Sequence, residues 1–207
     1  MEEVLEIYKR PYDPERPLIC FDESNKQQIQ ELIESLPMEP GKPMRFDSEY
    51  ERKGVSNLFM IFEPFAGKRH VRVTERRTKK DWAECMKMIV DELYPDAKKI
   101  TIVMDNLNTH TPASLYSRFS PEEARRISEK LDIQYTPKHG SWLNMAEIEF
   151  SALSRQCLNR RIGTVEELVT EIRAWEKDRN AADVKCNWQF KTEDARVKLK
   201  KLYPIYE

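Results

Sequence analysis

Five consecutive residues, Ile100-Thr-Ile-Val-Met104, carry no charge and end on Asp105. A strand with one face in water alternates apolar and polar positions, whereas a continuous apolar run is buried on both faces. A second run, Pro17-Leu-Ile-Cys-Phe21, is built the same way and ends on Asp22. Two interior strands of this kind need helices above and below them, which restricts the chain to an α/β layer architecture. Each run also delivers a carboxylate to a strand tip, where burial is costly unless a cation pairs it.

The other elements follow in order. Asn25 to Leu36 reads as a short helix or an ordered loop, and Pro37 to Pro43 as a connector rich in breakers. Three extended segments come next, Arg45–Tyr50, Ser56–Pro64 and His70–Thr74, separated by turns at Lys53-Gly54 and Ala66-Gly67-Lys68. Thr78 caps a helix through Leu93 with Trp82, Cys85, Met86, Ile89 and Val90 on one face. Helices over Pro112–Phe119 and Pro121–Leu131 are split at Ser120-Pro121, and Ile133–Thr136 is a strand. After a turn at Pro137–Ser141, helices are expected over Trp142–Arg160 and from a capping box at Thr164 to about Asp178, and the last segment, Thr192 to Leu202, is amphipathic and highly charged. The order predicts an α/β fold whose mixed sheet has three antiparallel strands and then parallel additions, flanked by helices. Residues 1–162 are expected to form the main domain and 163–207 a helical extension packed on it.

The chain has 207 residues, enough for one large domain, and its 40% hydrophobic content supports a core. No apolar stretch reaches the 18 or so residues of a membrane span. The start, Met1-Glu-Glu-Val-Leu-Glu, has no apolar signal core. Cys20, Cys85, Cys157 and Cys186 form no C-x-x-C pair and read as reduced packing thiols, which predicts a cytoplasmic protein. Net charge is −1, so any nucleic-acid contact must come from local patches rather than bulk charge. Candidate patches are Lys68-Arg69-His70 with Arg72, Arg76-Arg77 with Lys79-Lys80, Arg155 with Arg160-Arg161, and Lys198 with Lys200-Lys201. The first two flank the predicted hairpin and helix. Each cluster is otherwise a solvated face.

A third acid completes a set. On a helix, Leu143, Ala146, Phe150, Leu153 and Cys157 share a face, and Glu147 falls within that stripe. Glu149 lies about 200° further round, so the two cannot serve one site. Glu147 is chosen; its plainer reading is a core-edge glutamate paired to an arginine. Three carboxylates brought together repel one another and suit a hard divalent metal. Two such ions, about 3.5–4 Å apart, clamp the attacking and leaving oxygens of a displacement at phosphorus. Asn106, Asn108 and His110 after Asp105 could orient that carboxylate, touch a phosphate or simply build a turn. Lys138 and His139, before a tight turn at Gly140, are candidate phosphate contacts. Three histidines and scattered cysteines do not provide a zinc cluster.

At these residues the chain resembles a known family. Phe21-Asp22-Glu23-Ser24, Val103-Met104-Asp105-Asn106 and Ser141-Trp-Leu-Asn-Met-Ala-Glu147 look like the three motifs of DDE transposases. The Leu-Asn-x-x-Glu spacing is similar to the mariner superfamily. Asp105-Asn-Leu-Asn-Thr-His110 with Tyr135-Thr-Pro-Lys-His-Gly-Ser-Trp-Leu-Asn144 resembles its bacterial insertion-sequence branch, the insertion sequence 630 type. The resemblance runs over about residues 17 to 203. It implies a ribonuclease-H-like fold and catalytic, metal-holding roles for Asp22, Asp105 and Glu147 with Mg2+ or Mn2+. It also implies DNA cleavage and strand transfer at terminal inverted repeats and TA target sites, by a homodimer or with a full-length transposase, at the bacterial nucleoid. Such families carry an N-terminal helix-turn-helix region, and only 21 residues precede Asp22 here, so a catalytic domain without that region is expected. The alternatives are a non-catalytic DNA-binding or regulatory fragment acting through mixed assembly, and a general nuclease of the same fold.

Overall fold

The computed structural model describes residues 1–32, 38–42, 49–138 and 140–203. Five strands form one sheet in the order β3-β2-β1-β4-β5. β1 (Leu18–Glu31) pairs antiparallel with β2 (Tyr50–Glu63), and β2 antiparallel with β3 (Lys68–Thr74). On its other side β1 pairs parallel with β4 (Ile100–Met104), and β4 parallel with β5 (Leu131–Tyr135). This is the expected mixed sheet. All five residues of β4 are buried, as a continuous apolar run requires.

Side chains alternate across a strand, and the alternation sorts the interior into two layers. Leu18, Cys20, Leu58, Met60, Phe62 and Val103 pack in one cluster with side chains of α1 (Glu2–Tyr8), α5 (Ala146–Leu153) and α6 (Val165–Ala181). Ile19, Phe21, Phe59, Ile61, Ile102 and Met104 pack in the other with α2 (Lys79–Met88), α3 (Pro112–Tyr116) and α4 (Pro121–Lys130). The last helix, α7 (Thr192–Lys198), buries Ala195 in the first cluster and ties to α1 through Arg196, 2.7 Å from Glu2. No helix among the described residues is long and apolar enough to cross a membrane.

Local chemistry explains most boundaries. Thr78 caps α2 with a reciprocal box, accepting from the Asp81 amide while the Asp81 carboxylate accepts from the Thr78 amide. The helix then widens into a π-helical turn over Ile89–Leu93. Ser120 caps α4, with Pro121 in its first turn. Thr164 caps α6, but Glu167 reaches back to the Gly163 amide rather than to Thr164, so the expected box is displaced by one residue.

Three expectations need correction. Asn25 to Glu31 is neither helix nor loop: it continues β1, paired with β2 out to Glu31 opposite Tyr50. Cross-strand pairing overrides the weak helical preference of Lys26-Gln-Gln. Lys53-Gly54 is not a turn but lies inside β2, at a bulge where the register shifts beside Gln28. Gly54, at φ 142°, supplies the backbone that bulge needs. The extended segment at Arg45 falls largely outside the described residues. Trp142–Arg160 is not one helix but a 3-10 turn at Ser141–Leu143, then α5, then a π-helical turn at Ser154–Leu158.

The β2–β3 turn makes a sharp stability prediction. Gly67 has φ 66°, and a Cβ there would stand 2.8 Å from the Asp183 carbonyl carbon. Gly67→Ala should therefore cost about 1–3 kcal/mol, read as a lowered urea midpoint with an unchanged slope.

Candidate functional site

Cys20 is the last β1 residue paired to β4, opposite Val103. Asp22 and Asp105 each lie two residues further on. The parallel register therefore brings them out at one level on neighbouring chains, which run about 4.8 Å apart. Asp22 is not at a strand tip, because β1 continues and Asp22 faces Met60 of β2. What ends there is the β4 ladder, and that opens the space beside Asp22.

Glu147 stands in the first turn of α5, close enough to Asp22 for its charge to act on it. The turn is pinned to β1 by Asn144, whose amide donates to the Phe21 carbonyl at 2.8 Å while its side-chain oxygen accepts from the Ala146 amide at 3.2 Å. Tyr8 of α1 donates to the Leu143 carbonyl at 2.7 Å. The placement of Glu147 within the apolar stripe is overturned: Glu147 is exposed and Glu149, 2% exposed, lies on the buried face. Burial of Glu149 is possible because Arg179 holds it with two bonds, at 2.9 and 3.0 Å, and Arg69 lies 3.2 Å away. Glu149 is thereby committed to arginines, and Glu147 is left free to face Asp22.

The carboxylates feel one another. Asp22 is pushed up to about 7, first by burial and then by the like charges of Asp105 and Glu147, against the Glu23 amide that donates to it at 2.8 Å and the nearby His110. His110 Nδ1 is 2.6 Å from Asp105 Oδ1, a charge contact out of hydrogen-bond alignment. Its aligned partner is the Asp105 main-chain carbonyl at 3.3 Å. Burial alone would lower the pKa of His110, but Asp105 and Glu23 outweigh it and raise it to about 9.

Donor chemistry at this site fits a hard divalent cation: only carboxylate oxygens, mutual repulsion that a cation would relieve, and a buried Asp105 Oδ1 without an aligned donor. As the side chains stand, no group of three His, Cys, Asp or Glu among the described residues is closed enough to share an ion. Gathering all three therefore requires side-chain rotation, which is open to Glu147 because it is exposed.

The candidate DNA contacts divide. Asn106 and Asn108, which follow Asp105, are exposed, and so is Lys138. Arg72 is half-buried, while Arg76 and Arg77 are exposed, and Arg77 lies 3.2 Å from Glu23, beside Asp22. Arg76, Lys79 and Lys80 line an open groove of about 620 Å³ at the start of α2. Two candidates are corrected. Arg69 is 3% exposed, donating to Asn180 and Val184 and standing against Glu149, so it serves the interior. His110 is 0% exposed and cannot meet a phosphate. In the same patch Lys68 pairs with Asp183 at the surface and His70 with Glu176, which leaves Arg72 as its candidate. His139 lies outside the described residues.

Sequence reasoning gave no role to Asn144 and Glu23, and it weighed Glu149 only as a rival to Glu147. Asn144 and Glu23 stand inside the quoted motifs, and a buried asparagine at a helix start is a recognisable cap. The inward turn of Glu149 depends on Arg179, thirty positions away, and carried no local signal.

Comparison with solved structures gives the same fold. The Mos1 mariner paired end complex with Mn aligns at TM-score 0.57, with 14% identity over 88% of this chain and 55% of that one. The Mos1 strand transfer complex aligns at 0.58, with 12% identity over 90% and 60%. A pre-cleavage Mos1 transpososome aligns at 0.52, with 12% identity over 91% and 61%. The chain thus spans less than two thirds of the length of these relatives, and shares their ribonuclease-H-like sheet. No protein of curated function matches by sequence. A family model described as DDE superfamily endonuclease matches residues 17–169.

Proposed function

The chain belongs to the DDE superfamily endonucleases, and from that membership we propose that it is the catalytic domain of a transposase that cuts and joins DNA strands with divalent metal. The observation that carries this reading is the register that brings Asp22 and Asp105 level on neighbouring parallel chains, with Glu147 near enough to act on Asp22. Asp22, Asp105 and Glu147 would hold Mg2+ or Mn2+, two ions on family precedent. When bound, such metal supplies the acidity that activates a water or 3′-hydroxyl and neutralises the leaving oxygen. The protein's part is to hold three carboxylates at fixed positions and to orient the DNA along the groove beside α2, where Arg76, Lys79 and Lys80 stand with Glu75 and Asp81. Residues 1–162 would carry this site, with 163–207 bracing α1, β3 and α5.

The mariner superfamily, and within it the insertion sequence 630 type, is the branch that the quoted motifs favour. On that reading the DNA is a terminal inverted repeat joined to TA targets, and the assembly is a dimer. The Mos1 structures are named as paired end and strand transfer complexes, which supports paired DNA ends and strand joining, while the TA target and the dimer rest on the motif resemblance alone.

The test is nicking of supercoiled plasmid and joining of a pre-cut end in Mn2+ or Mg2+. Activity is expected with metal and none in EDTA; equal nicking in EDTA sinks the proposal. Co-purification with a full-length transposase, without metal binding or nicking, would favour the regulatory fragment instead. For the groove, Arg76→Gln with Lys80→Gln should weaken DNA binding at all sequences. The slope of log affinity against log salt should shrink by about 0.9 per lost phosphate contact.

A further inference from the structure

His110 lies at 0% exposure beside the proposed site, and DNA contact is closed to it. Its ring stacks on Trp82 with centroids 6.2 Å apart and stands edge-on to Phe21 at 5.7 Å. Between those two rings it is held to one orientation, and in that orientation each nitrogen faces a carboxylate. Nδ1 is 2.6 Å from Asp105 Oδ1 and Nε2 is 3.5 Å from Glu23 Oε2, both charge contacts out of hydrogen-bond alignment, and Nδ1 is aligned with the Asp105 main-chain carbonyl at 3.3 Å. The backbone is tied as well, since the Tyr135 hydroxyl donates to the His110 carbonyl at 2.6 Å. Glu23 is fixed in turn, its side chain 6% exposed and its other oxygen 3.2 Å from Arg77. For packing alone an apolar ring would serve here without two buried polar nitrogens. The imidazole instead connects a braced glutamate to the aspartate that the strand register sets beside Asp22.

We propose that His110, braced by Glu23, is the positioning residue of Asp105: it sets the orientation of that carboxylate and thereby the strength with which the three acids hold a divalent cation. The inference rests on the proposed function, because it takes Asp105 as a metal-holding residue. Partners of this kind, which orient a ligand without touching the ion, typically change metal affinity by about 10–100-fold when removed.

The experiment is Mn2+ binding to the chelator-treated, DNA-free full chain, followed by electron paramagnetic resonance of the free ion, with thermal melting alongside. Phenylalanine at 110 fills the aromatic slot and removes both nitrogens. His110→Phe is expected to stay folded, with a lowered melting temperature because Glu23 loses its buried partner, and to bind Mn2+ about 10–100-fold more weakly. Glu23→Gln, which keeps the shape and removes the brace's charge, should weaken binding in the same direction by less. Parental Mn2+ affinity in a folded His110→Phe overturns the proposal. Should that variant not fold, parental affinity in Glu23→Gln overturns it instead. Asp22→Asn and Asp105→Asn separate the two levels. If both still bind Mn2+ like the parent, the metal site itself is misassigned. If both lose binding while His110→Phe keeps it, only the role of His110 falls.

Discussion

Asp105→Ala should cut metal-dependent nicking and joining by about 10²–10³-fold. That is the scale on which one preorganised electrostatic partner of a transition state acts. The chain should stay folded. Asp105 follows the last residue of β4 and adds nothing to its ladder, which ends at Met104 opposite Tyr135. Its loss also removes one of the two like charges that press on Asp22. The opposing effect is on His110, which loses the oxygen 2.6 Å from its Nδ1. Plasmid nicking, end joining and a melting curve on the same preparation check all of this. Undiminished nicking by folded Asp105→Ala would sink the catalytic assignment. Asp22→Asn, in EDTA, should melt above the parent, because it replaces a carboxylate that burial and two neighbours disfavour with a neutral isostere. Gaining stability while losing activity is the expected mark of a site kept for function rather than for folding.

The sheet was legible in the sequence where the signal is local. Ile100–Met104 reads as an interior strand because burial on both faces forbids alternation, and the caps at Thr78, Ser120 and Thr164 each fall where their side chains predict. The far half of β1 was not legible. Asn25 to Glu31 carries few strand formers, and its conformation comes from β2, a partner that local patterns do not reveal. The same divide runs through the site. Asp22 and Asp105 announce themselves by ending apolar runs. Their shared level follows only from the pairing of Cys20 with Val103. The periodicity that selected Glu147 put the wrong glutamate on the buried face. The plain reading set beside Glu147, a core-edge glutamate held by arginine, describes Glu149. Hydrophobic periodicity locates a buried face but cannot foresee a charge buried with its counter-charges.

That pair of arginines yields the largest stability effect expected outside the hydrophobic core. Glu149→Ala leaves the Arg69 guanidinium, whose side chain is 0% exposed, without its carboxylate. Breaking one partner of a buried pair costs about 3–5 kcal/mol, much of it the penalty of a stranded charge. For a chain of this size that lowers the melting temperature by roughly 10 °C. Loss of stability alone would not separate a structural brace from a positioning one. The triple variant Glu149→Leu, Arg69→Met and Arg179→Met does, since replacing every member of a buried charged cluster by apolar groups of similar volume is near neutral or stabilising. It should restore most of the melting temperature. It should not restore full nicking, because α5 would then be held against β3 and α6 by side chains that no longer fix its rotation, and Glu147 rides on its first turn. Full nicking in the triple variant would mean that Asn144 and the packing of α5 suffice to aim Glu147, and that the buried charges contribute to stability alone.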